Sequence, residues 1–466
     1  MRRLLTGLAV LFVALAASIT PVDAFDSLLT DAVAEYPAIA GTKLDDCALC
    51  HTGGTALNAY GAAYDAAGKN FGAIESADSD GDGFSNIAEI VALTFPGDAS
   101  DKPVVGGGRV VSRGSLDAGA EVFALAAAPD VDRDEAFILW GERGAARDGA
   151  KAHGGLRGWL VDDEGAALKK AVSIAVGDVS EDHGISAAYA TKKKRFAATW
   201  TSADFAAMSQ LLKSKVNKLY KKPVEIGAAA TGPVVDWDND LGKFIVASAN
   251  GTDVDLATLD TKGKVGRLSG GRFAADVVSE FSTPHAFASG PFESGRLLLA
   301  SVNISKGAEP GTALVEGGEA TVVDEGIAKA SKKGLGMAAA MPGDAPGMIV
   351  VRGGTKVTTG QVETDGTLAG KAAKLKGAKA ARIGVAPQSD GTFLVVWIDS
   401  KKGTVLAVDR SADGKTTSKP FEIQADGESI DSDLLAVVPL GDSVLVVYVT
   451  EGDPGVVRTA IVGPAE

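Results

Sequence analysis

The sequence predicts a mainly β fold, a ring of repeated sheets preceded by a small α-helical domain. Three observations predict it. First, an apolar strand pattern recurs seven times: EAFILW ending at Trp140, RFAATW at Trp200, KFIVAS at Ser248, RLLLAS at Ser301, GMIVVR at Arg352, TFLVVW at Trp397 and SVLVVY at Tyr448. The mean spacing is about 51 residues, the length of a four-stranded unit. Second, each run has a strand rich in small residues before it, such as ISAAYA ending at Ala190, and a third strand after it that runs into a Gly-bearing turn, as at Gly165, Gly263, Gly366 and Gly414. Such turns signal hairpins. Third, the last unit stops after its third strand, VVRTAIV, while a spare strand, RVVSRGSL from Arg109 to Leu116, precedes the first unit. Four strands per unit at this period describe a β-propeller, and the spare strand completes a seven-bladed ring without an open edge. Six or eight blades, a β-solenoid or a row of small sandwiches are the competing architectures.

Taken in order, residues 1–24 read as a signal peptide: Arg2 and Arg3 are followed by an apolar stretch and by the small-residue site Val22-Asp23-Ala24. No later run approaches the ~18 apolar residues of a membrane span, so the expectation is an exported, periplasmic or secreted protein without a transmembrane anchor. Residues 25–103 form the small domain, with short helices expected at Ser27–Glu35, Ala56–Phe71 and Asn86–Thr94. A linker is expected over 98–108; residues 104–117 join the two domains and supply the closing strand, and 118–466 form the propeller. The mean charge balance is acidic, with a formal net charge of −14, which disfavours nucleic acid as a partner. The small domain concentrates this charge: thirteen acidic residues stand against Lys43, Lys69 and Lys102.

The only two cysteines stand together as Cys47-Ala48-Leu49-Cys50-His51. Two thiols two residues apart can each add to one vinyl group of a haem, and the next histidine then faces the iron. Cys47 and Cys50 are therefore expected as thioether anchors and His51 as the iron ligand of one covalent haem c. The competing reading is a redox disulfide beside a chance histidine. A second motif follows. Asp78-Ser79-Asp80-Gly81-Asp82-Gly83-Phe84-Ser85-Asn86-Ile87-Ala88-Glu89 fits the twelve-residue calcium loop position by position. Asp78, Asp80 and Asp82 would supply carboxylate oxygens, Phe84 its carbonyl, Asn86 a direct or water-borne contact and Glu89 a bidentate carboxylate. An acidic, solvated loop is the bland alternative. A structural role suits one calcium ion better than a regulatory one.

Together, CALCHTGGTALNAYGAAYDAAGKNF and DSDGDGFSNIAEIVALTFPGD resemble a bacterial mono-haem cytochrome c module with an adjoining thrombospondin-type-3 or EF-hand-like calcium loop. The resemblance covers less than a fifth of the chain. It implies haem binding and electron transfer outside the cytoplasm. One departure stands out: between Phe25 and Val104 there is no methionine, and no histidine besides His51, to cap the second face of the iron. His183, His285, Met337 and Met341 are candidates elsewhere; Lys43, Lys69, Tyr60, Tyr64 and the new amine of Phe25 are candidates within the module. Tyr60 and Tyr64, four apart on a helix, are better suited to packing against the haem edge.

The propeller carries no comparable chemistry. Asp182-His183 suggests a base with its orienter but has no nucleophile to serve, and a structural histidine is the simpler reading. The second unit is basic: from His183 to Gly227, nine lysines and arginines face only Asp204 and Glu225. This is a solvated face or a docking surface for something acidic. The sequence thus points to an electron carrier, not an enzyme, with a redox protein as electrostatically selected partner. The alternatives are a propeller-based binding or adhesion protein, and a haem enzyme such as a peroxidase or dehydrogenase subunit.

Overall fold

The computed structural model describes residues 26–81, 84–101 and 109–464, the last range with gaps, of which the longer are 144–153, 275–288, 292–296, 304–308 and 326–335. The signal-peptide segment, Asp82, Gly83, His183 and His285 lie outside the described residues. The chain separates into two compact units, 1–103 and 104–466.

The larger unit is mainly β. Its strands form seven four-stranded antiparallel sheets, an arrangement that fits a β-propeller. The first six use consecutive strands. The first sheet, for example, comprises Val122–Asp130, Glu135–Glu142, Gly154–Val161 and Val172–Val179. The seventh takes Ile430–Leu440, Ser443–Thr450 and Val456–Val462 from the end of the chain and Val110–Asp117 from before the first sheet. In that pair Leu116 lies opposite Val457 and Arg113 opposite Ala460, so the last sheet is completed by a strand about 350 residues away in sequence. The first strand of each sheet runs beside the first strands of the sheets before and after it, and that of the seventh beside that of the first.

The seven apolar runs become the second strands, and the reason they are apolar throughout is visible. In Glu135–Glu142 the six central residues are all buried, because both faces of the sheet are covered by neighbouring sheets. Phe137 and Leu139 pack with Phe196, Ala198 and Trp200 of the second sheet, while Ile138 and Trp140 pack with Val447 and Val449 of the seventh. The same alternation joins the fifth sheet to the sixth and the sixth to the seventh. Trp140 also stacks on Trp159 with ring centroids 3.8 Å apart. Truncating Trp140 to alanine is expected to cost about 3–5 kcal/mol of ring stability, measured by denaturant unfolding, because the hole lies between two sheets that cannot both collapse into it. The turns leaving the third strands are built alike. Asp162 and Asp260 each accept two backbone N–H bonds through Oδ1, which turns the chain toward a glycine in the left-handed region, Gly165 at φ 82° and Gly263 at φ 83°.

A buried polar clasp holds the ends of the ring chain. Arg109, just before the closing strand, makes a bidentate ion pair with Asp409 of the sixth sheet (2.6 and 2.8 Å). It also donates to the Gly463 carbonyl and to Oε1 of Gln388, and Gln388 in turn donates to Asp409. The Asp409 side chain is fully buried and that of Arg109 is 10% exposed.

The smaller unit holds the helices α1 (Asp26–Glu35), α2 (Ala59–Ala66) and α3 (Asn86–Ala92). Helix α2 is shorter than the expected Ala56–Phe71. Ala56 and Leu57 instead pair with His51–Gly53 as a two-stranded ribbon, Asn58 caps the helix, and Gly68 and Lys69 leave it with positive φ. The core is aromatic: Tyr64 stacks on Phe71 at 4.1 Å, and Tyr36 meets Phe71 edge-on at 5.7 Å. Of the expected linker, residues 98–101 are tied to this unit, since Lys43 pairs with Asp101 at 2.7 Å and Asp101 accepts from the Phe95 amide. Residues 102–108 lie outside the description.

Candidate functional site

The cysteine segment is held in place by the chain around it. Cys47–Leu49 form one 3-10 turn, capped by Asp46, whose side chain accepts from the Ala48 amide. Asn58 fastens this turn to helix α2. Its Nδ2 donates to the carbonyls of Ala48 and Leu49 at 3.0 Å each, its Oδ1 accepts from the Gly61 amide at 2.8 Å, and its own amide donates to the Cys50 carbonyl at 2.9 Å. Gly61 completes the contact, because a Cβ there would overlap the Cys50 carbonyl. One asparagine therefore serves as helix cap and as the staple of the loop. Asn58→Ala is expected to lower the stability of this unit by about 1–2 kcal/mol, read from helical circular dichroism during urea unfolding.

On this framework Cys47 is exposed and Cys50 half-buried, and the two are not joined to each other. Burial, with a smaller contribution from Cys47, pushes the Cys50 thiol up to about 11. A redox-active pair has a thiol shifted the other way. His51 is half-buried and lies opposite Leu57 in the ribbon. Leu57 is 44% exposed, one of two large exposed apolar residues, with Leu28, among the described residues of the unit. The donor set therefore fits a haem c in chemistry: two thiols available for thioether bonds, an imidazole beside them, and apolar surface next to the imidazole.

The expected axial and edge residues are placed differently. Lys43 is occupied by Asp101 and lies over the Phe95 ring. Tyr60 is fully buried in the core of the small unit, and Tyr64 is spent on Phe71. Burial raises the Tyr60 hydroxyl well above the usual range and is also the chief cause of the upward shift at Tyr64. Met341 is buried beside Gly347, where a Cβ would meet its sulfur, and Met337 lies on the first strand of the fifth sheet.

The acidic loop is described except for Asp82 and Gly83. Asp78 Oδ1 accepts from the Gly81 amide at 2.8 Å, and Gly81 has φ 80°. Asn86 has a different task from the one its position suggests: Nδ2 donates to the Ile74 carbonyl and Oδ1 accepts from the Ser79 amide, so its side chain staples the loop. Glu89, in the first turn of α3, is fully buried. No lysine, arginine or histidine occurs in sequence between Lys69 and Lys102. Glu89 thus stands, buried, at the position where the twelve-residue loop expects its closing bidentate carboxylate. Among the described residues, no group of three or more His, Cys, Asp or Glu side chains is gathered into a metal cage.

Comparison with known proteins assigns this chain to no family. No protein-family model matches it, and no curated protein matches it. Among solved structures, it is similar to the polysaccharide lyase Uly1 (TM-score 0.46, 12% identity, 75% of this chain and 91% of that one). It is also similar to the WD40 domain of coronin from Toxoplasma gondii (TM-score 0.46, 9% identity, 74% and 82%). A third is the fucose-specific lectin from Aleuria aurantia (TM-score 0.41, 13% identity, 62% and 98%).

Proposed function

We propose that this protein is exported, carries one haem c on Cys47, Cys50 and His51, and exchanges single electrons from its small N-terminal unit. The seven sheets are read as the blades of a closed β-propeller that serves as a binding and docking platform. One observation carries the electron-transfer reading: two thiols not joined to each other, directly followed by a half-buried imidazole, on a turn stapled from four sides by Asn58 and Gly61. When bound, the haem would supply one-electron exchange between the ferrous and ferric states. Cys47 and Cys50 would tether it, His51 would ligate its iron, and Leu57 would cover part of its apolar face. Asn58 keeps the three in register, so little ordering is left to occur on attachment.

One calcium ion is assigned to Asp78, Asp80, Asp82, the Phe84 carbonyl and Glu89, with Asn86 holding the loop. It stabilises the small unit and takes no part in electron exchange. At free calcium 100-fold above the dissociation constant, unfolding of this unit is expected to cost about 2.7 kcal/mol more than in a chelator. Calorimetry with and without calcium measures this, and equal melting temperatures would contradict the assignment. The acidic surface of this unit selects a basic redox partner. Reduction by a cationic partner protein is then expected to slow as salt rises.

The test of the haem reading uses a host competent in cytochrome maturation. Haem staining after denaturing electrophoresis should mark the native chain and be lost when both cysteines are replaced (Cys47→Ser with Cys50→Ser). An unstained native chain contradicts the reading. A second reading, in which the ring binds a ligand in its own right, is favoured by a cavity of about 230 Å³ whose described lining includes Leu125, Ser186, Val234, Met337, Ile383 and Leu435.

A further inference from the structure

The second sheet of the ring gathers its positive charge at one end. It comprises Ser186–Ala190, Arg195–Thr201, Ala207–Lys213 and Leu219–Gly227. Arg195 lies opposite Ala190 on one side and Lys213 on the other. The turn from first to second strand and the turn from third to fourth therefore leave the sheet at the same end. In sequence they read Thr191-Lys192-Lys193-Lys194-Arg195 and Lys213-Ser214-Lys215-Val216-Asn217-Lys218, with no acid in either. Lys192, Lys193, Lys194, Lys213 and Lys215 are exposed. The acids of the sheet lie away from them: Asp204 is in the turn at the opposite end, and Glu225 is paired with Met208.

Neighbouring sheets hold these turns in place. Lys192 Nζ donates to the Asn239 carbonyl at 2.9 Å and Arg195 Nη1 to the Thr261 carbonyl at 2.8 Å, both on turns of the third sheet. On the other side Arg133, in a turn of the first sheet, donates to the Ser214 carbonyl at 2.7 Å. The contact at Thr261 brings the exposed Lys262 and Lys264 alongside, so the basic band crosses from the second sheet to the third. The exposed acids of these adjoining turns, Asp132, Asp134 and Asp240, stand at its margins. The backbone gives an independent sign. Lys194, directly before the second strand, has φ 50°, whereas the same place in the third sheet holds Gly242 at φ 60°. Glycine adopts this conformation without strain and lysine does not, so the fold tolerates a cost where the side chain adds to the band.

We infer that this band binds a linear carboxylated polysaccharide, a polyuronate, laid along the turns of the second and third sheets. The occupant follows from what the band offers. Its charge is carried by lysines, hydrated point charges that pair with carboxylates one at a time. Its guanidinium, Arg195, is engaged with Thr261 and lies over the Tyr220 ring at 3.6 Å. That leaves neither a fork set out for phosphate nor an uncovered ring face on which a base could stack. A protein partner needs an apolar centre to its interface. Beside these turns the large apolar side chain exposed among the described residues is Leu219, at 36%. A stiff polymer with a carboxylate on every sugar needs no such centre, and it meets a surface already held by the neighbouring sheets, so little freedom is left to lose on binding. The inference deepens the reading of the ring as a docking platform and uses no residue of the haem site.

Fluorescence polarisation of a labelled galacturonic acid oligomer, titrated with the full chain at low salt, tests this. Saturable binding is expected, weakening as salt rises. The methyl-esterified oligomer, which has lost its charge, should not bind. Lys193→Gln, Lys213→Gln and Lys215→Gln should each weaken binding about two- to fivefold, and together about tenfold or more. Lys194→Gly removes a charge and relieves the backbone at once. It should melt no lower than the native chain and still bind more weakly, a pair of results that no folding defect produces. Lys401→Gln with Lys402→Gln changes exposed lysines on the turn between the second and third strands of the sixth sheet, and should leave binding unchanged. The Cys47→Ser, Cys50→Ser chain should bind like the native one, which separates this inference from the electron-transfer reading. Capture of polyglutamate or of a DNA oligonucleotide, but not of the uronate, would overturn the polysaccharide assignment in favour of an acidic protein or a nucleic acid. No saturable binding of the uronate, equal binding of its methyl ester, or binding unchanged in the triple lysine variant would overturn the site itself.

Discussion

Replacing Arg109 by alanine is expected to cost the ring about 3–5 kcal/mol. The substitution strips a fully buried Asp409 of its bidentate partner and leaves a carboxylate in a medium that cannot solvate it. It also frees the Gly463 carbonyl and Oε1 of Gln388. Gly463 donates its own amide back to the Arg109 carbonyl at 2.6 Å, so the clasp ties the last residues of the ring to the segment entering its closing strand. Denaturant unfolding followed by tryptophan fluorescence measures the loss. Replacing both partners, Arg109→Met with Asp409→Leu, should cost much less, because no charge is then left stranded. A cost below about 1 kcal/mol for Arg109→Ala would mean that the pair behaves as an exposed one and that the clasp does not hold the ring.

The second large effect is expected at Gly61→Ala. Helix α2 touches the Cys50 carbonyl at this residue, with no room for a methyl group. The obstacle is backbone, which cannot swing away as a side chain can. Helix and loop must separate, breaking the bonds of Asn58 to Ala48 and Leu49. About 1–3 kcal/mol of overpacking is expected in the small unit. Because the same shift moves Cys50 and His51 relative to the helix, haem incorporation should fall along with stability. A chain that unfolds more easily yet incorporates haem normally would show that the staple is structural only.

Much of the ring was legible in the sequence, for a physical reason. A second strand covered on both faces must be apolar at every position, so runs such as TFLVVW stand out without any periodicity analysis. The spare strand was legible by counting, since three strands at the end of the chain need a fourth. The clasp was not legible. Arg109 and Asp409 are 300 residues apart, and a single arginine before a strand has no local signature. Nor was the cavity, whose described lining is drawn from residues as far apart as Leu125 and Leu435.

In the small unit, residue types at fixed spacing suggest a chemistry, but they say nothing of the scaffold. Asn58 is an ordinary cap by sequence, and its second role depends on the fold bringing Ala48 and Leu49 within reach of Nδ2. Asn86 reads as a calcium contact by position, whereas its side chain bonds Ile74 and Ser79. Tyr60 and Tyr64 read as cover for a haem edge, and nothing in the sequence revealed that Phe71 would take Tyr64.

The electron-transfer account rests on an iron porphyrin bound through Cys47 and Cys50. Its most direct test is the absorption spectrum of the full chain, purified from a maturation-competent host, recorded oxidised, reduced and after denaturation in alkaline pyridine. The account predicts a coloured protein whose pyridine spectrum gives one thioether-linked haem per chain. A colourless protein, or a pigment extracted by acidified organic solvent, would contradict it.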